Sequence, residues 1–204
     1  MLIRCAANAT PSNVHQKITT AFRAFVQFLP SELATMPLDR WSESVVRYFY
    51  CKKFAELFPG VHQLVECDKI DLVLREGSAI AFVEFKFYRH PIRFDPYDGS
   101  IRGFKGGPGA KNLLEFQSCV KKLHSRRSTE SLSKFIILLY ADPVDSKRPN
   151  LRFSTQYDQY RHPNEGIPLL ELEFSESIAV ADATIRARLF EIGAPPTCRH
   201  TKRG

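Results

Sequence analysis

The chain has 204 residues, which is enough for one domain with a sizeable hydrophobic core. A hydrophobic fraction of 44%, with 16 Phe and 7 Tyr residues, is typical of a globular protein. The formal net charge of +7 favours an anionic partner, of which nucleic acid is the commonest, although solubility alone also accounts for it.

Cysteine usage and hydropathy exclude several other classes of protein. The five cysteines are scattered and form no Cys-x-x-Cys pair, which argues for a reducing compartment and against a disulfide framework or a zinc site. The first residues have no apolar core of signal-peptide length, and no run approaches a membrane span. We therefore expect a soluble, cytoplasmic protein.

Two helices are predicted before the first strand. Apolar residues recur at helical spacing over 14–29, so we expect an N-terminal helix that packs on the domain. Pro30 and Pro37 bracket a connector. Asp39 is the predicted N-cap of a second helix that runs to about Phe58.

An acidic residue continues the apolar stripe of this second helix. The stripe consists of Glu43, Val46, Tyr50, Phe54 and Leu57. The helix dipole favours a Glu in the first turn, which is one explanation for Glu43. A role in a functional site is the other.

Segment 70–88 is predicted to form an antiparallel hairpin, preceded by a strand over 61–67. Two runs rich in β-branched and aromatic residues flank a turn at Gly77 and Ser78. Since side chains alternate along a strand, one face is entirely apolar. That face carries Ile70, Leu72, Leu74, Ala81, Val83, Phe85 and Phe87.

The other face of the hairpin combines apolar residues with charges. In this register Asp71 lies directly opposite Glu84, and Lys86 lies two residues further along. Like charges opposite each other destabilise a sheet, and a buried lone carboxylate costs several kcal/mol. Lys86 offsets one charge, and a divalent cation bound by both carboxylates would offset the other.

Asp71, followed after twelve residues by Glu84-Phe85-Lys86, resembles the signature of the PD-(D/E)xK nuclease superfamily. That superfamily includes type II restriction enzymes and many repair and defence nucleases. The proline of the signature is absent, since Ile70 precedes Asp71. The resemblance covers residues 39–141 and implies an α/β (α+β) fold with a restriction-endonuclease-like αβββαβ core, a mixed sheet flanked by helices.

The resemblance also implies roles for the hairpin residues. Asp71 and Glu84 would be Mg²⁺ ligands together with the Phe85 backbone carbonyl, and Mn²⁺ would substitute. Lys86 would be the catalytic lysine.

Two helices would complete the site implied by the resemblance. The helix before the sheet often supplies an extra carboxylate, and Glu43 is the matching position. The helix after the Glu-x-Lys strand sometimes presents a Gln or Lys, for which Gln117 and Lys111 are the candidates.

Basic residues concentrate between this strand and the end of the next helix, predicted over 110–124. A long loop over 89–109 interleaves basic and aromatic residues, which suits phosphate contact and base stacking. A solvated helix end is the alternative for the lysines of the helix. The nucleic-acid-binding candidates are Arg89, Arg93, Arg102, Lys105, Lys111, Lys121 and Lys122.

The remaining elements extend one domain over 1–204. A continuous apolar run over 134–140 predicts a central buried strand. Beyond it we expect a C-terminal extension of a strand over 169–174 and a helix over 178–191. A basic tail over 193–204 is expected to be disordered.

Three hypotheses for function follow. The first is a Mg²⁺-dependent deoxyribonuclease acting on DNA, with no membrane partner and a homodimer as an option. The second is a catalytically inactive module of the same fold that binds nucleic acid or protein. The third is an unrelated α/β domain in which the motif is incidental.

Overall fold

The structure is a computed structural model of the chain. The residues it describes are 13–36, 38–89, 92–94, 97, 101–104, 110–128, 131–143, 157, 160, 166–180 and 183–193. The predicted C-terminal tail, apart from Gly193, lies outside this set. The elements in chain order are α1 (Asn13–Thr35), a 3₁₀ turn (Leu38–Arg40), α2 (Glu43–Leu57), β1 (His62–Cys67), β2 (Ile70–Glu76), β3 (Ala79–Tyr88), β4 (Ile92–Phe94), β5 (Ile101–Phe104), α3 (Ala110–Ser125), β6 (Ser131–Pro143), β7 (Leu169–Val180) and β8 (Ala183–Ile192).

A six-stranded, mostly antiparallel sheet in the order β1-β2-β3-β6-β8-β7 forms the centre of this mixed α/β fold. β3 and β6 pair in parallel, and α3 makes the crossover between them. β4 and β5 pair separately as a two-stranded antiparallel sheet. Among the described residues, no helix combines the length and apolarity that crossing a lipid bilayer requires.

The sheet is covered on both faces. Helices α1 and α2 pack on one face, where Leu72, Val83 and Phe85 point. Helix α3 packs on the other face, over Val73 and Ile136. The predicted antiparallel hairpin over 70–88 is therefore confirmed, and both of its faces are covered. The neighbouring strand β6 is a continuous apolar run because neither of its faces meets water.

Ile70 departs from the predicted alternation. It packs with the α3 face and not with Leu72. It follows Asp68 and Lys69, which both have positive φ angles of 49° and 64°. It pairs with Cys67 of β1 but precedes the first residue of β2 that pairs with β3, so it lies where the sheet is two strands wide.

The predicted C-terminal helix over 178–191 is wrong, because this segment contains the end of β7 and most of β8. β8 pairs antiparallel with both β6 and β7. Ile185, Ala187 and Leu189 alternate on the buried α1–α2 face, which is strand periodicity. The predicted strand over 169–174 is present and extends to Val180.

Two helix boundaries also differ from prediction. α1 continues through Pro30 to Thr35, because Leu29 is buried and Leu33 packs against the same core. The N-cap of α2 is Ser42 and not Asp39, since the Ser42 side chain accepts a hydrogen bond from the Val45 N–H. The predicted loop over 89–109 contains β4 and β5.

Candidate active site

The β2–β3 hairpin has the register that the turn residues predict. Main-chain pairing runs from Glu76 opposite Ala79 to Leu72 opposite Val83. Extended by one position, this register would set Asp71 against Glu84, but the pairing ends at Leu72 and Val83. The two carboxylates therefore lie where β2–β3 pairing ends.

At this point the Asp71 carboxylate takes the place of a main-chain partner. The Phe85 N–H donates to Asp71 Oδ2 at 2.8 Å. In an extended strand the N–H and C=O of one residue point to the same neighbour. The Phe85 carbonyl therefore faces the same gap between β2 and β3 as the Asp71 side chain.

A buried arginine from α2 holds the other oxygen of Asp71. Arg47 Nη1 lies 3.1 Å from Asp71 Oδ1. The same guanidinium donates through Nη2 to Glu66 at the end of β1. The planar, multidentate guanidinium thus fixes Asp71 relative to both α2 and β1.

Glu84 is the most enclosed acid of the site, with 2% of its surface exposed. Lys122 Nζ lies 2.6 Å from Glu84 Oε1, at an angle outside hydrogen-bond geometry, so the contact is an ion pair. The Cys119 thiol donates to Glu84 Oε2 at 3.8 Å. Burial raises the pKa of Glu84, with a further contribution from the negative charge of Asp71, against the opposing effect of Lys122.

Lys86 lies between acids from helices on opposite faces of the sheet. Its Nζ is 3.2 and 3.3 Å from the two carboxylate oxygens of Glu43 in α2 and 3.5 Å from Glu115 Oε1 in α3. Burial lowers the pKa of Lys86, but Glu43, Cys119 and Glu115 together outweigh burial and leave this pKa above its ordinary value. The amine is therefore protonated at neutral pH.

Glu43 lies at the start of α2 and also contacts Lys86. Glu43 is the first residue of α2, where the helix dipole favours a carboxylate. Its side chain nevertheless points to Lys86, and burial, followed in effect by the charge of Asp71, raises the pKa of Glu43. Position in the helix and membership of the site are thus compatible.

These side chains form three neighbouring sets of ion pairs, which we together call the acidic cluster. Its members are Glu43, Arg47, Glu66, Asp71, Glu84, Lys86, Glu115 and Lys122. When all are ionised, five negative and three positive charges leave a formal charge of −2. A single divalent cation would neutralise it.

The predicted Mg²⁺ site contains two carboxylates, those of Asp71 and Glu84. Among the described residues, no group of three or more His, Cys, Asp or Glu is arranged to hold a metal ion. Mg²⁺ commonly uses only one or two carboxylates, which is the number that Asp71 and Glu84 provide, and keeps its other positions for water and substrate phosphate.

Other predicted site residues lie outside the acidic cluster. Gln117 is two positions, or about 200° around the helix, from both Glu115 and Cys119, so it lies on a different face of α3. Lys111 and Lys121 are exposed on α3.

The basic residues after β3 are described to different extents. Arg89 donates to the Leu38 carbonyl at 3.2 Å and so ties the end of β3 to the 3₁₀ turn. The main chain of Arg93 and Arg102 lies in β4 and β5, and Lys105 lies outside the described residues.

Sequence reasoning missed Arg47, Glu115 and Cys119. Each lies at helical spacing from another residue of the site, and this spacing can be read from the sequence. Arg47 lies four residues after Glu43 on α2. Glu115, Cys119 and Lys122 lie at i, i+4 and i+7 of α3, which places all three on one helical stripe.

No protein-family model, curated protein or solved structure matches this chain. A functional assignment therefore depends on the geometry and charge of the acidic cluster.

Proposed function

We propose that this protein is a divalent-metal-dependent nuclease that hydrolyses phosphodiester bonds, with DNA as the favoured substrate. The observation that carries the proposal is the ending of β2–β3 pairing at Asp71 and Glu84, with Lys86 two residues beyond. The element order α2-β1-β2-β3-α3-β6, with β3 parallel to β6, supports it because the PD-(D/E)xK resemblance implies that order.

The metal ligands in this proposal are the side chains of Asp71 and Glu84 and the carbonyl of Phe85. When bound, the cation supplies Lewis acidity at the scissile phosphate and lowers the pKa of a coordinated water. The Phe85 N–H and Arg47 hold the Asp71 carboxylate in place. The site thereby avoids reorganising its donors when substrate arrives.

Lys86 acts in this proposal as a hydrogen-bond donor and a positive charge. Because Glu43 and Glu115 help to keep the amine protonated, it does not serve as a general base at neutral pH. It orients the attacking water and stabilises the charge that develops on the phosphate oxygens. Glu43, held 3.2 Å away, positions the ammonium.

The binding-module alternative also has an observation in its favour. Asp71, Glu84 and Glu43 are each paired with a side-chain cation, respectively Arg47, Lys122 and Lys86. Such pairing stabilises buried carboxylates without any metal. A non-cleaving protein of this fold would bind nucleic acid and leave it intact.

Cleavage assays separate the two functions. The wild-type protein is incubated with supercoiled plasmid, linear duplex, single-stranded DNA and RNA, in Mg²⁺, Mn²⁺ or EDTA. We expect metal-dependent cleavage of DNA that falls about 100-fold or more in Asp71→Asn, Glu84→Gln and Lys86→Met. Glu76→Gln is the matched control, because it removes a carboxylate at the opposite end of β2.

Two results would overturn the nuclease proposal. One is wild-type cleavage rates in all three folded variants, with folding checked by circular dichroism. The other is wild-type protein that binds DNA in fluorescence anisotropy but cuts none of the four substrates, which would establish the binding module.

A further inference from the structure

Lys122 is placed where it competes with any cation for Glu84. Its Nζ lies 2.6 Å from Glu84 Oε1 and also donates to the Lys69 carbonyl at 3.0 Å. We propose that Lys122 is a built-in counter-ion that a divalent cation must displace from Glu84. This inference rests on the proposed function, because it concerns the same metal site.

The burial of Glu84 requires such a counter-ion. With 2% of its surface exposed, the carboxylate cannot rely on water for its charge. The Cys119 thiol offers one weak donor at 3.8 Å. Lys122 therefore provides the positive charge that compensates the buried carboxylate.

The two acids of the site differ in how readily their partners can leave. The side chain of Lys122 is 36% exposed and ends in a flexible ammonium, so it can swing into solvent. The side chain of Arg47 is 11% exposed, and its guanidinium joins Asp71 to Glu66. Displacement is therefore expected at Glu84, while Arg47 stays in place.

A metal ion and the Lys122 ammonium cannot both contact Glu84 Oε1 without strong repulsion. Cation affinity in the wild-type protein is accordingly reduced by the free energy of the ion pair. The displaced ammonium then points into solvent, where an anionic substrate can form an ion pair with it. Lys122 would thus lower metal affinity until substrate phosphate is present.

Mn²⁺ binding without nucleic acid tests this inference. Free Mn²⁺ is measured by electron paramagnetic resonance during titration of the full chain at pH 8. We expect Lys122→Met and Lys122→Gln to bind Mn²⁺ on the order of tenfold more tightly than wild type, since the competing charge is gone. Lys69→Met is the matched control, because it removes an exposed lysine two residues from Asp71, and its dissociation constant should change less than about twofold.

The outcomes distinguish this inference from the proposed function. If wild type binds Mn²⁺ and the folded Lys122 variants bind it equally or more weakly, the counter-ion role is wrong and the nuclease proposal stands. An equal gain in Lys69→Met also overturns it, because the effect would then be one of net charge. Absence of Mn²⁺ binding in every protein overturns both. Lys122→Gln keeps a donor for the Lys69 carbonyl, so it preserves the test should Lys122→Met fail to fold.

Discussion

Burial of Glu84 opposes the charged form that the proposed metal binding requires. A carboxyl group with so little exposure is disfavoured as an anion, and burial accordingly raises the pKa of Glu84 above its ordinary value of 4.5. Asp71 adds to this effect, while Lys122 and Lys86 oppose it. In the metal-free protein the fold therefore holds Glu84 in its charged form only at a cost in free energy.

This cost predicts a pH dependence for Glu84→Gln. Since the folded pKa of Glu84 exceeds its unfolded pKa, the stabilisation it confers is complete below the unfolded pKa and is lost as pH rises through the folded pKa. Gln does not titrate. The melting temperature of Glu84→Gln minus that of wild type should therefore increase from about pH 4 to pH 8.

Glu56→Gln is the control for the sign of this pH dependence. A hydrogen bond from Lys53 lowers the pKa of this exposed carboxylate, so its melting-temperature difference should change in the opposite direction. Thermal scans of the three proteins without metal provide the comparison. A difference for Glu84→Gln that is flat or falls with pH would show that the interior does not disfavour the anion.

At the scale of elements, helix α3 supplies one side of the acidic cluster. Glu115, Cys119 and Lys122 reach the strand residues from one helical stripe. The adjacent stripe, about 100° around the helix, includes Phe116, Val120 and Leu123 and packs in the core on the α3 face of the sheet. The position of α3 therefore sets both the packing and the charge of the site.

A buried lysine fixes the C-terminal end of α3. Lys134, with 7% of its surface exposed, donates to the His124 carbonyl at 3.1 Å and the Arg126 carbonyl at 2.7 Å. Lys134→Met keeps most of the apolar stem but leaves both carbonyls without this donor, so we expect a loss of about 1–3 kcal/mol in the free energy of unfolding. Urea denaturation measures it. Lys111→Met, at an exposed position of the same helix, should change stability by less than about 0.5 kcal/mol, and equal losses in the two variants would contradict the capping role.

The hairpin could be predicted because its determinants are local. Its alternation and the Gly77-Ser78 turn together fix a register whose last pair, Leu72 and Val83, lies one position before Asp71 and Glu84. The partners of these acids could not be predicted in the same way. Arg47 and Lys122 reach them from helices on opposite faces of the sheet, and contacts across such distances in sequence depend on tertiary packing.

β8 illustrates the same limit for the fold. The spacing of Ile178, Ala181, Ile185 and Leu189 suits a helix, and the alternation of Ile185, Ala187 and Leu189 suits a strand. Pairing with β6 over nine positions stabilises the strand over the helix. That outcome depends on a neighbour about 50 residues earlier in the chain, which local propensity cannot register.

At the scale of the whole molecule, the chain has a positive net charge whereas the candidate site has a negative one. The net charge is +7, whereas the acidic cluster has a formal charge of −2. An excess of basic residues outside the acidic cluster suits an extended polyanion. In the proposed nuclease, substrate attraction and metal binding would therefore use different parts of the surface.

This arrangement predicts the salt dependence of DNA binding. If Lys111 and Lys121 each contact a phosphate, replacing both with Met should reduce the slope of log K against log salt concentration by about 2. Fluorescence anisotropy at salt concentrations from about 50 to about 300 mM measures this slope. Replacement of both by Arg should preserve the slope, and an unchanged slope in the Met variant would exclude these two contacts.

In the proposed nuclease, a divalent cation lies between Asp71 and Glu84. Crystals of the metal-free protein soaked in Mn²⁺ and measured at an energy with manganese anomalous scattering would locate it directly. We expect one strong peak within about 2.1 Å of oxygens from both carboxylates and from the Phe85 carbonyl. Saturating Mn²⁺ with no peak at that position would contradict the proposal.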